Sequence, residues 1–271
     1  MRICTIILNR NLPKVTNLLA KTIKKNNNTD LFVVEAGSDK SKISKYCTWH
    51  ANWLSVKKNG FRFPRGMNFA LSNLYKEKKF EKYDLFFLLT NDTVFETKKF
   101  DKKILNIFKK HRKLGILSPC APNWGEKKLL KKNKIKYFWY IHNNAVIIRK
   151  DFIKEVCSFK NPGYLNFLYD GNNFRGYGTE SEIIAKAYIN NWGAAITSDI
   201  LISENENYLI QKSKLIKTEP YDLNMRLYIQ EGLSWMKKKY GFKNRWFMQM
   251  YVKTFYDKFF ELNPKLKKYK I

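Results

Sequence analysis

The sequence predicts an α/β fold with a mostly parallel sheet flanked by helices, followed by a helical C-terminal extension. The apolar run LFFLL at 85–89 stops at the polar triplet Thr90-Asn91-Asp92, which is typical of a strand buried on both faces. Similar runs alternate with stretches of helical apolar spacing, and this alternation indicates βαβ units. The alternation ends near residue 211, where stretches rich in lysine and aromatic residues begin.

The first part of the chain is predicted to contain four strands, at residues 3–8, 31–34, 53–56 and 85–89. Helices are expected at 13–23 and 67–75. Pro13 suits the first turn of a helix, where an amide hydrogen would have no partner within the helix. The segment 60–66, with glycine at both ends, is expected to be a loop.

The remaining elements follow the same reasoning. A helix is predicted at 100–111, strands at 115–120, 137–141 and 145–148, and a loop rich in proline, glycine and lysine at 121–136. A helix over 151–156 has Asp151 as its expected N-cap, and a helix over 183–190 has Thr179 as cap and Glu182 at the capping-box position. Two further helices are predicted at 221–240 and 246–262.

The charge of the chain is strongly positive, with 52 Lys and Arg against 23 Asp and Glu, net +29. Such a surface attracts nucleic acid, anionic lipid or phosphate-bearing substrates. Lys, Asn, Ile, Tyr and Phe are all abundant, so an AT-rich genome explains part of this charge equally well. The sequence contains no zinc-finger spacing, RNP signature or basic zipper, and this makes a nucleic-acid-binding protein the less favoured interpretation.

The cysteines and the apolar runs bear on the setting of the protein. The four cysteines are far apart without CxxC spacing, so a reduced, cytoplasmic environment is expected. No stretch approaches the ~18 apolar residues of a membrane span, and the apolar run at the N-terminus is too short for a signal peptide. We expect a catalytic domain over 1–210 and a basic aromatic extension over 211–271.

Polar residues follow four of the predicted strands and loops, at 8–11, 35–39, 61–68 and 90–92. In a doubly wound sheet these loops converge on one crevice beyond the carboxyl ends of the strands. Asp92 would there hold a cation, although Asn91-Asp92 is equally well read as a simple turn. Glu35 suits a ribose hydroxyl, Asp39 is favoured as an N-cap over a ligand contact, and Arg65 at a helix start suits a phosphate.

Several segments taken together resemble a known family. These are ILNR at 7–10, VVEAGSD at 33–39, NGFRFPRGMNFAL at 59–71, LLTNDTVF at 88–95, RGYGTESEIIAKA at 175–187 and NNWGAAI at 190–196. In this order they resemble the GT-A inverting glycosyltransferases of family 2 over about residues 1–205. That family has a VVDNGSxD-like nucleotide loop, a degenerate DxD and an acidic GED-like loop before a helix.

The resemblance implies a GT-A (Rossmann-like) fold and a specific reaction. A sugar would pass with inversion from a nucleotide diphosphate sugar to a hydroxyl of a glycan, lipid-linked or polysaccharide acceptor. Glu180 matches the position of the general base, with Glu182 in reserve, and Asp92 matches the ligand of a divalent metal, Mn²⁺ or Mg²⁺. The nucleotide-sugar contacts that the resemblance implies are Asn9, Arg10, Glu35, Gly37, Asp39, Arg65, Asn68 and Asn91.

Three positions depart from the family pattern. Thr90 stands where the DxD has its first acid, which implies low metal affinity. Where many relatives have a histidine ligand after the last core strand, this chain has Glu204 as the one candidate substitute. Asn143-Asn144 replaces a small glycine on the acceptor side, and the neighbouring His142 is favoured as structural over an acceptor contact.

Two alternatives concern the enzyme class. A sugar-nucleotide pyrophosphorylase shares the sheet architecture but needs a glycine-rich loop after the first strand, and residues 8–12 contain no glycine. An inactive relative of the glycosyltransferases stays open as a second interpretation.

The extension carries 15 Lys and Arg against 5 Asp and Glu over 211–271. A basic aromatic helix can lie on an anionic membrane, where lipid-linked acceptors reside. The slightly favoured alternative is that its aromatic side chains pack on the catalytic domain. The residues in question are Trp235, Trp246, Phe247, Tyr251, Phe255, Phe259 and Phe260.

Overall fold

A computed structural model describes residues 1–121, 125–130, 134–141, 144–157, 159–205 and 220–271. Within these ranges one sheet of nine strands has the order β3-β2-β1-β4-β8-β6-β9-β5, with β7 paired to β9 outside this path. The strands are β1 (Ile3–Asn9), β2 (Asp30–Ala36), β3 (Trp49–Ala51), β4 (Leu85–Thr90), β5 (Thr93–Phe95), β6 (Leu114–Cys120), β7 (Ile135–Tyr137), β8 (Ala145–Arg149) and β9 (Gly193–Glu204).

Helices surround this sheet and form the C-terminal extension. They are α1 (Pro13–Asn26), α2 (Leu54–Asn59), α3 (Phe63–Lys76), α4 (Phe100–Lys110), α5 (Gly125–Leu130), α6 (Lys150–Val156), α7 (Thr179–Ile189), α8 (Tyr221–Tyr240) and α9 (Arg245–Leu262). Short 3₁₀ helices span Lys40–Lys42, Phe80–Lys82 and Pro264–Tyr269.

The direction of the strands is mostly parallel, as the sequence predicts. Strands β3, β2, β1 and β4 pair in parallel, and β6 pairs in parallel with β9. The antiparallel strand β8 lies between β4 and β6, while β5 and β7 run antiparallel to β9. The carboxyl ends of β1, β2 and β4 therefore meet at one edge of the sheet.

Strand β4 is the centre of the core, and its prediction is confirmed. Its five apolar residues are 0% exposed, and β1 and β8 pair with it on either side. Burying one such side chain contributes about 1.5–3 kcal/mol to stability. The run therefore stops where burial stops, since Thr90 is already partly exposed.

The region between β2 and β4 differs from its prediction. The third strand is β3 at 49–51, where His50 pairs with Glu35, and the predicted strand at 53–56 is instead the start of α2. Helix α3 begins at Phe63, so the predicted loop at 60–66 is partly helical. A Cβ on Gly66 would lie 2.4 Å from Leu8 Cδ1, so this glycine allows close packing of the helix on β1.

Other boundaries also differ because tertiary contacts select them. The predicted loop at 121–136 contains α5, and the strand expected at 137–141 is β7 at 135–137. Arg149 takes the N-cap position that was expected for Asp151. Gly178, with φ of 83°, occupies the N-cap position of α7 that was expected for Thr179. The carboxylate of Glu182 does not form the predicted capping box, since it binds the side chains of Lys239 and Tyr240 on α8.

Helix α9 packs on the α/β sheet region, so the favoured alternative holds for Phe259 and Phe260 but not for the exposed Trp246 and Phe247. Tyr256, Phe259 and Phe260 of α9 are at most 1% exposed and belong to the main core. The domain boundary predicted at 210 lies outside the described residues. Among helices in the described ranges, none combines the length and apolar character that crossing a bilayer requires.

Candidate functional site

Glu35 lies at the end of β2, directly beside Asn9 at the end of β1. The Asn9 amide nitrogen donates to both Glu35 oxygens at 3.0 and 2.8 Å, Ser38 Oγ donates at 2.5 Å, and the Ser44 backbone amide donates at 2.7 Å. Glu35 is 0% exposed. Its carboxylate therefore ties the loop after β2 to β1, and the ribose contact implied by the resemblance stays a prediction.

Asn91 joins the loop after β4 to the same group. Its Nδ2 donates to Asn9 Oδ1 at 3.0 Å and to Thr16 Oγ1 at 3.2 Å. Thr16 Oγ1 in turn donates to Asn9 Oδ1 at 2.7 Å. The structure therefore brings together Asn9, Glu35 and Asn91 in one polar network at the carboxyl ends of β1, β2 and β4.

The loop after β2 is held in a conformation that glycine permits. Gly37 has φ of +81°, and a Cβ at this position would lie 2.2 Å from Val56 O. Asp39 precedes the 3₁₀ helix without a side-chain cap bond, and its carboxylate pairs with Lys42 at 3.0 Å. Asp39 thus has the predicted N-cap position without the capping bond.

Arg10 forms the next part of the wall. Its Nη2 donates to the carbonyls of Lys57 and Lys58 at 3.3 Å, which fastens the end of α2 to the end of β1. A Cβ on Gly60, where φ is +70°, would lie 2.0 Å from Arg10 Nη1. The backbone of this loop therefore passes directly against the guanidinium.

Asp92 lies in the turn between β4 and β5, so it is both a turn residue and a candidate ligand. Thr93, the next residue, pairs with Glu204 of β9, and the Asn205 amide donates to Asp92 O at 3.0 Å. This pairing brings Glu204 to the strand edge beside Asp92. The side-chain hydroxyls of Thr90 and Thr93 both donate hydrogen bonds to the backbone carbonyl of Asn144, at 3.3 and 3.1 Å.

The candidate ligands for a divalent cation at this edge of the sheet are the carboxylates of Asp92 and Glu204. Among the described residues, no three His, Cys, Asp or Glu side chains are grouped to hold a metal ion. Mg²⁺-type cations are commonly held by one or two carboxylates, with phosphate oxygens and water completing the coordination. A carboxylate such as that of Asp92 fits that mode of binding, in which the ion depends on a phosphate-bearing ligand.

Arg65 and Asn68 do not join this network. Arg65 Nε donates to the carbonyl of Gly171 at 2.7 Å, and its guanidinium lies 4.8 Å from the ring centroid of Phe174. Asn68 is 0% exposed and hydrogen-bonds backbone atoms of Tyr164, Leu168 and Tyr169. Both residues organise the loop before α7, and their predicted contact with a nucleotide sugar stays a prediction.

Glu180 lies in the first turn of α7 and is 4% exposed. Its carboxylate forms an ion pair with Arg245, whose guanidinium lies 5.2 and 5.3 Å from the rings of Tyr140 and Tyr177. Burial raises the pKa of Glu180, and the charge of Arg245 acts against that rise. A carboxylate with a raised pKa suits a general base that works near neutral pH.

Glu182 belongs to a second ionic cluster. Its Oε1 accepts hydrogen bonds from Lys239 Nζ at 2.7 Å and Tyr240 OH at 2.6 Å. Lys239 also binds Asp170 at 2.6 Å, and Trp235 Nε1 donates to the same Asp170 oxygen at 3.0 Å. Glu182 therefore anchors the end of α8 to α7.

Sequence reasoning missed the partners of these two acids. The only signal was the excess of lysine and arginine after residue 211, which does not tell which cation meets which acid. Arg245 meets Glu180, and Lys239 meets Asp170 and Glu182, only because α8 and α9 pack next to α7. His142 and Asn143, considered for the acceptor side, lie outside the described residues.

No protein-family model and no curated protein sequence matches the chain. Its structure is similar to that of the mannosyltransferase PcManGT from Pyrobaculum calidifontis in complex with GDP-Man and Mn²⁺, with a TM-score of 0.50, 9% identity, and coverage of 95% of this chain and 86% of that one. A mycobacterial protein also has a TM-score of 0.50, with 9% identity, 87% of this chain and 74% of that one. For S. aureus TarS residues 1–349 the TM-score is 0.48, with 13% identity and coverage of 88% and 74%. At these identities the likeness concerns the architecture, and the chain has the mostly parallel α/β fold of GT-A proteins.

Proposed function

We propose that the protein is a glycosyltransferase that moves a sugar from a nucleotide diphosphate sugar to an acceptor hydroxyl. The observation that carries the proposal is the meeting of Asn9, Glu35, Asn91 and Asp92 at the carboxyl ends of adjacent parallel strands. Ligands of open α/β sheets bind at that edge. A mannosyltransferase of the same fold, solved with GDP-Man and Mn²⁺, supports the choice of donor class.

On the donor side, the chain supplies a rigid floor and two carboxylates. The network of Asn9, Glu35 and Asn91 holds the three loops in register, so a nucleotide meets a preorganised surface. Asp92 and Glu204 would hold a divalent cation, Mn²⁺ or Mg²⁺, which neutralises the charge of a leaving diphosphate. Because Thr90 replaces an acid, we expect this ion to bind together with the nucleotide.

On the acceptor side, Glu180 accepts the proton of the attacking hydroxyl. Transfer with inversion, as in family 2, takes one displacement and one base, and burial prepares Glu180 for that role. Arg245 keeps the carboxylate ionised and oriented. Glu182 is the weaker candidate, since Lys239 and Tyr240 already bind its carboxylate.

The acceptor is proposed to be a glycan or a lipid-linked saccharide. Trp246 and Phe247 at the start of α9 are 62% and 50% exposed, whereas Tyr256, Phe259 and Phe260 of that helix are buried. These two side chains would make a peripheral contact with an anionic membrane. Flotation with anionic vesicles at physiological salt tests this contact, and absence of binding would exclude it.

The donor site is tested by thermal shift with a panel of nucleotide diphosphate sugars, each with and without Mn²⁺ or Mg²⁺. We expect at least one donor to raise the Tm, with a larger rise when the metal is present. Asp92→Asn should remove the metal-dependent part of the shift, whereas Glu126→Gln on α5 should not. If no donor stabilises the protein, the proposal is wrong.

The base is tested with the donor identified in that panel. Glu180→Gln should abolish transfer while the donor-induced shift in Tm remains, because the side chain acts on the acceptor. Glu261→Gln, an exposed position on α9, serves as the control. Transfer at the wild-type rate in Glu180→Gln would show that the base lies elsewhere.

A further inference from the structure

A cavity of about 290 Å³ lies between α2, the start of α3, the loop before α7, and α8. Its lining includes Phe61, Arg65, Tyr164, Phe174, Arg175 and Glu231. Asn9, Glu35, Asn91 and Asp92 are not among its lining residues, whereas Val56 and Gly60 of the lining pack against Gly37 and Arg10, so the cavity adjoins the proposed donor site. Its volume is at the lower end of the roughly 300–1,000 Å³ of small-ligand sites, and suits a ligand of monosaccharide size.

The charges in the cavity are unbalanced. Arg175 pairs with Glu231 at 2.7 Å, and the Arg175 side chain is only 8% exposed. Arg65 binds the Gly171 carbonyl through Nε, and within the described part of the chain its two terminal amino groups have no hydrogen-bond or ion-pair partner. A partly desolvated guanidinium of this kind favours an anionic group that accepts two hydrogen bonds.

The rest of the lining is aromatic. Tyr164 stacks on Phe61 with ring centroids 5.1 Å apart, and Phe174 lies against the guanidinium groups of Arg65 and Arg175 at 4.8 and 5.4 Å. The cavity thus combines an apolar wall, the terminal amino groups of Arg65 and the carboxylate of Glu231. A sugar ring with an anionic substituent has the matching groups, namely an apolar face, an anion and hydroxyl donors.

We propose that this cavity binds an acidic sugar unit of the acceptor, with its carboxylate or phosphate on Arg65 and its ring against Tyr164. The proposal rests on the proposed glycosyltransferase function for its role, since the loop that carries Phe174 and Arg175 leads directly into α7 and Glu180. The acceptor is therefore expected to be an anionic glycan, and the cavity determines which acceptors are used.

The test is ligand-observed NMR and calorimetry on the full chain with four probes: glucose, glucuronate, glucose 6-phosphate and inorganic phosphate. We expect glucuronate or glucose 6-phosphate to bind, and the tighter of the two identifies the acidic group. Glucose and phosphate alone should each bind at least about tenfold more weakly, since glucose lacks the anionic group for Arg65 and phosphate lacks the sugar ring for Tyr164. Arg65→Met should weaken the acidic sugar by about tenfold or more, whereas Lys76→Met, an exposed charge on the same helix, should not.

Three outcomes would overturn the proposal. The first is that neither acidic sugar binds, and the second is equal binding to the wild type and Arg65→Met when circular dichroism shows both to be folded. The third is displacement of the acidic sugar by a saturating nucleotide diphosphate, which would make the cavity part of the donor site. If the protein binds acidic sugars but no nucleotide sugar, the cavity is still an acidic-sugar site, and the result contradicts the proposed glycosyltransferase function instead.

Discussion

Arg245, the first residue of α9, forms an ion pair with Glu180 in the first turn of α7. The Glu180 side chain is 6% exposed and that of Arg245 is 28% exposed, so water screens this pair only weakly. The C-terminal extension thereby supplies the counter-charge of the proposed catalytic base. Without α9, the Glu180 carboxylate would lose the positive charge of Arg245.

The first prediction concerns the pH dependence of transfer. Burial raises the pKa of Glu180 and Arg245 lowers it, so Arg245→Met should raise this pKa further. The acidic limb of kcat/KM should then move to higher pH, as measured in a pH–rate profile. Arg226→Met, an exposed position on α8, should leave the limb in place, and an unchanged limb in Arg245→Met would contradict the coupling.

The same substitution has a stability consequence with a definite sign. A carboxyl group whose pKa is raised by folding stabilises the protein below its unfolded pKa and loses that contribution as the pH rises. Arg245→Met should be destabilising by about 3 kcal/mol at neutral pH, because it removes the counter-charge of a buried carboxylate. Chemical denaturation at neutral and acid pH should show a smaller deficit at acid pH.

The second prediction concerns Lys239, which joins Asp170 to Glu182. Burial alone would raise the pKa of Asp170, but hydrogen bonds from Lys239 and Trp235 outweigh it and lower the pKa to about 2. The associated stability is present above the ordinary pKa of 3.8 and is lost as the pH falls through about 2. Lys239→Met should reduce this acid-induced loss, as denaturation midpoints between pH 4 and pH 2 will show. Lys238→Met, with its side chain exposed, should behave as the wild type.

The third prediction separates a structural from a surface carboxylate. Glu35 accepts hydrogen bonds from Asn9, Ser38 and Ser44, so the amide of Glu35→Gln would direct a donor at another donor. We expect destabilisation by about 2–3 kcal/mol in urea unfolding. Glu81→Gln, where the side chain is 58% exposed and pairs with Lys154, should cost less than about 1 kcal/mol. Equal effects of the two substitutions would exclude the network as a structural element.

The fourth prediction uses two glycines with similar backbone angles. Gly37 and Gly241 have φ of +81° and +75°, but only at Gly37 would a Cβ collide with backbone, 2.2 Å from Val56 O. Gly241→Ala should therefore cost about 1–2 kcal/mol, the strain of the left-handed conformation. Gly37→Ala should cost at least about 3 kcal/mol and lower the Tm correspondingly more. A similar Tm for the two variants would show that the loop after β2 relaxes freely.

Much of the α/β sheet is predictable because local pattern and burial agree there. The run at 85–89 is apolar throughout, which is typical of a strand buried in the middle of a sheet. The polar residues that end β1, β2 and β4 then meet for topological reasons, and Asn9, Glu35 and Asn91 do form one network. The strand prediction at 53–56 is wrong. The third strand is β3 at 49–51 because these residues pair with β2, and the local apolar spacing contains no sign of that pairing.

The sequence by itself determined the alternation of most strands and helices before residue 205, the central strand and the edge where the polar loops converge. These properties follow from periodicity and from the geometry of parallel sheets. The tertiary structure alone decided that Arg245 meets Glu180, that Lys239 joins Asp170 to Glu182, and that Arg65 binds the carbonyl of Gly171 and lines a cavity. Such contacts join residues that are 57 to 106 positions apart in the chain, and depend on how packed helices orient long side chains.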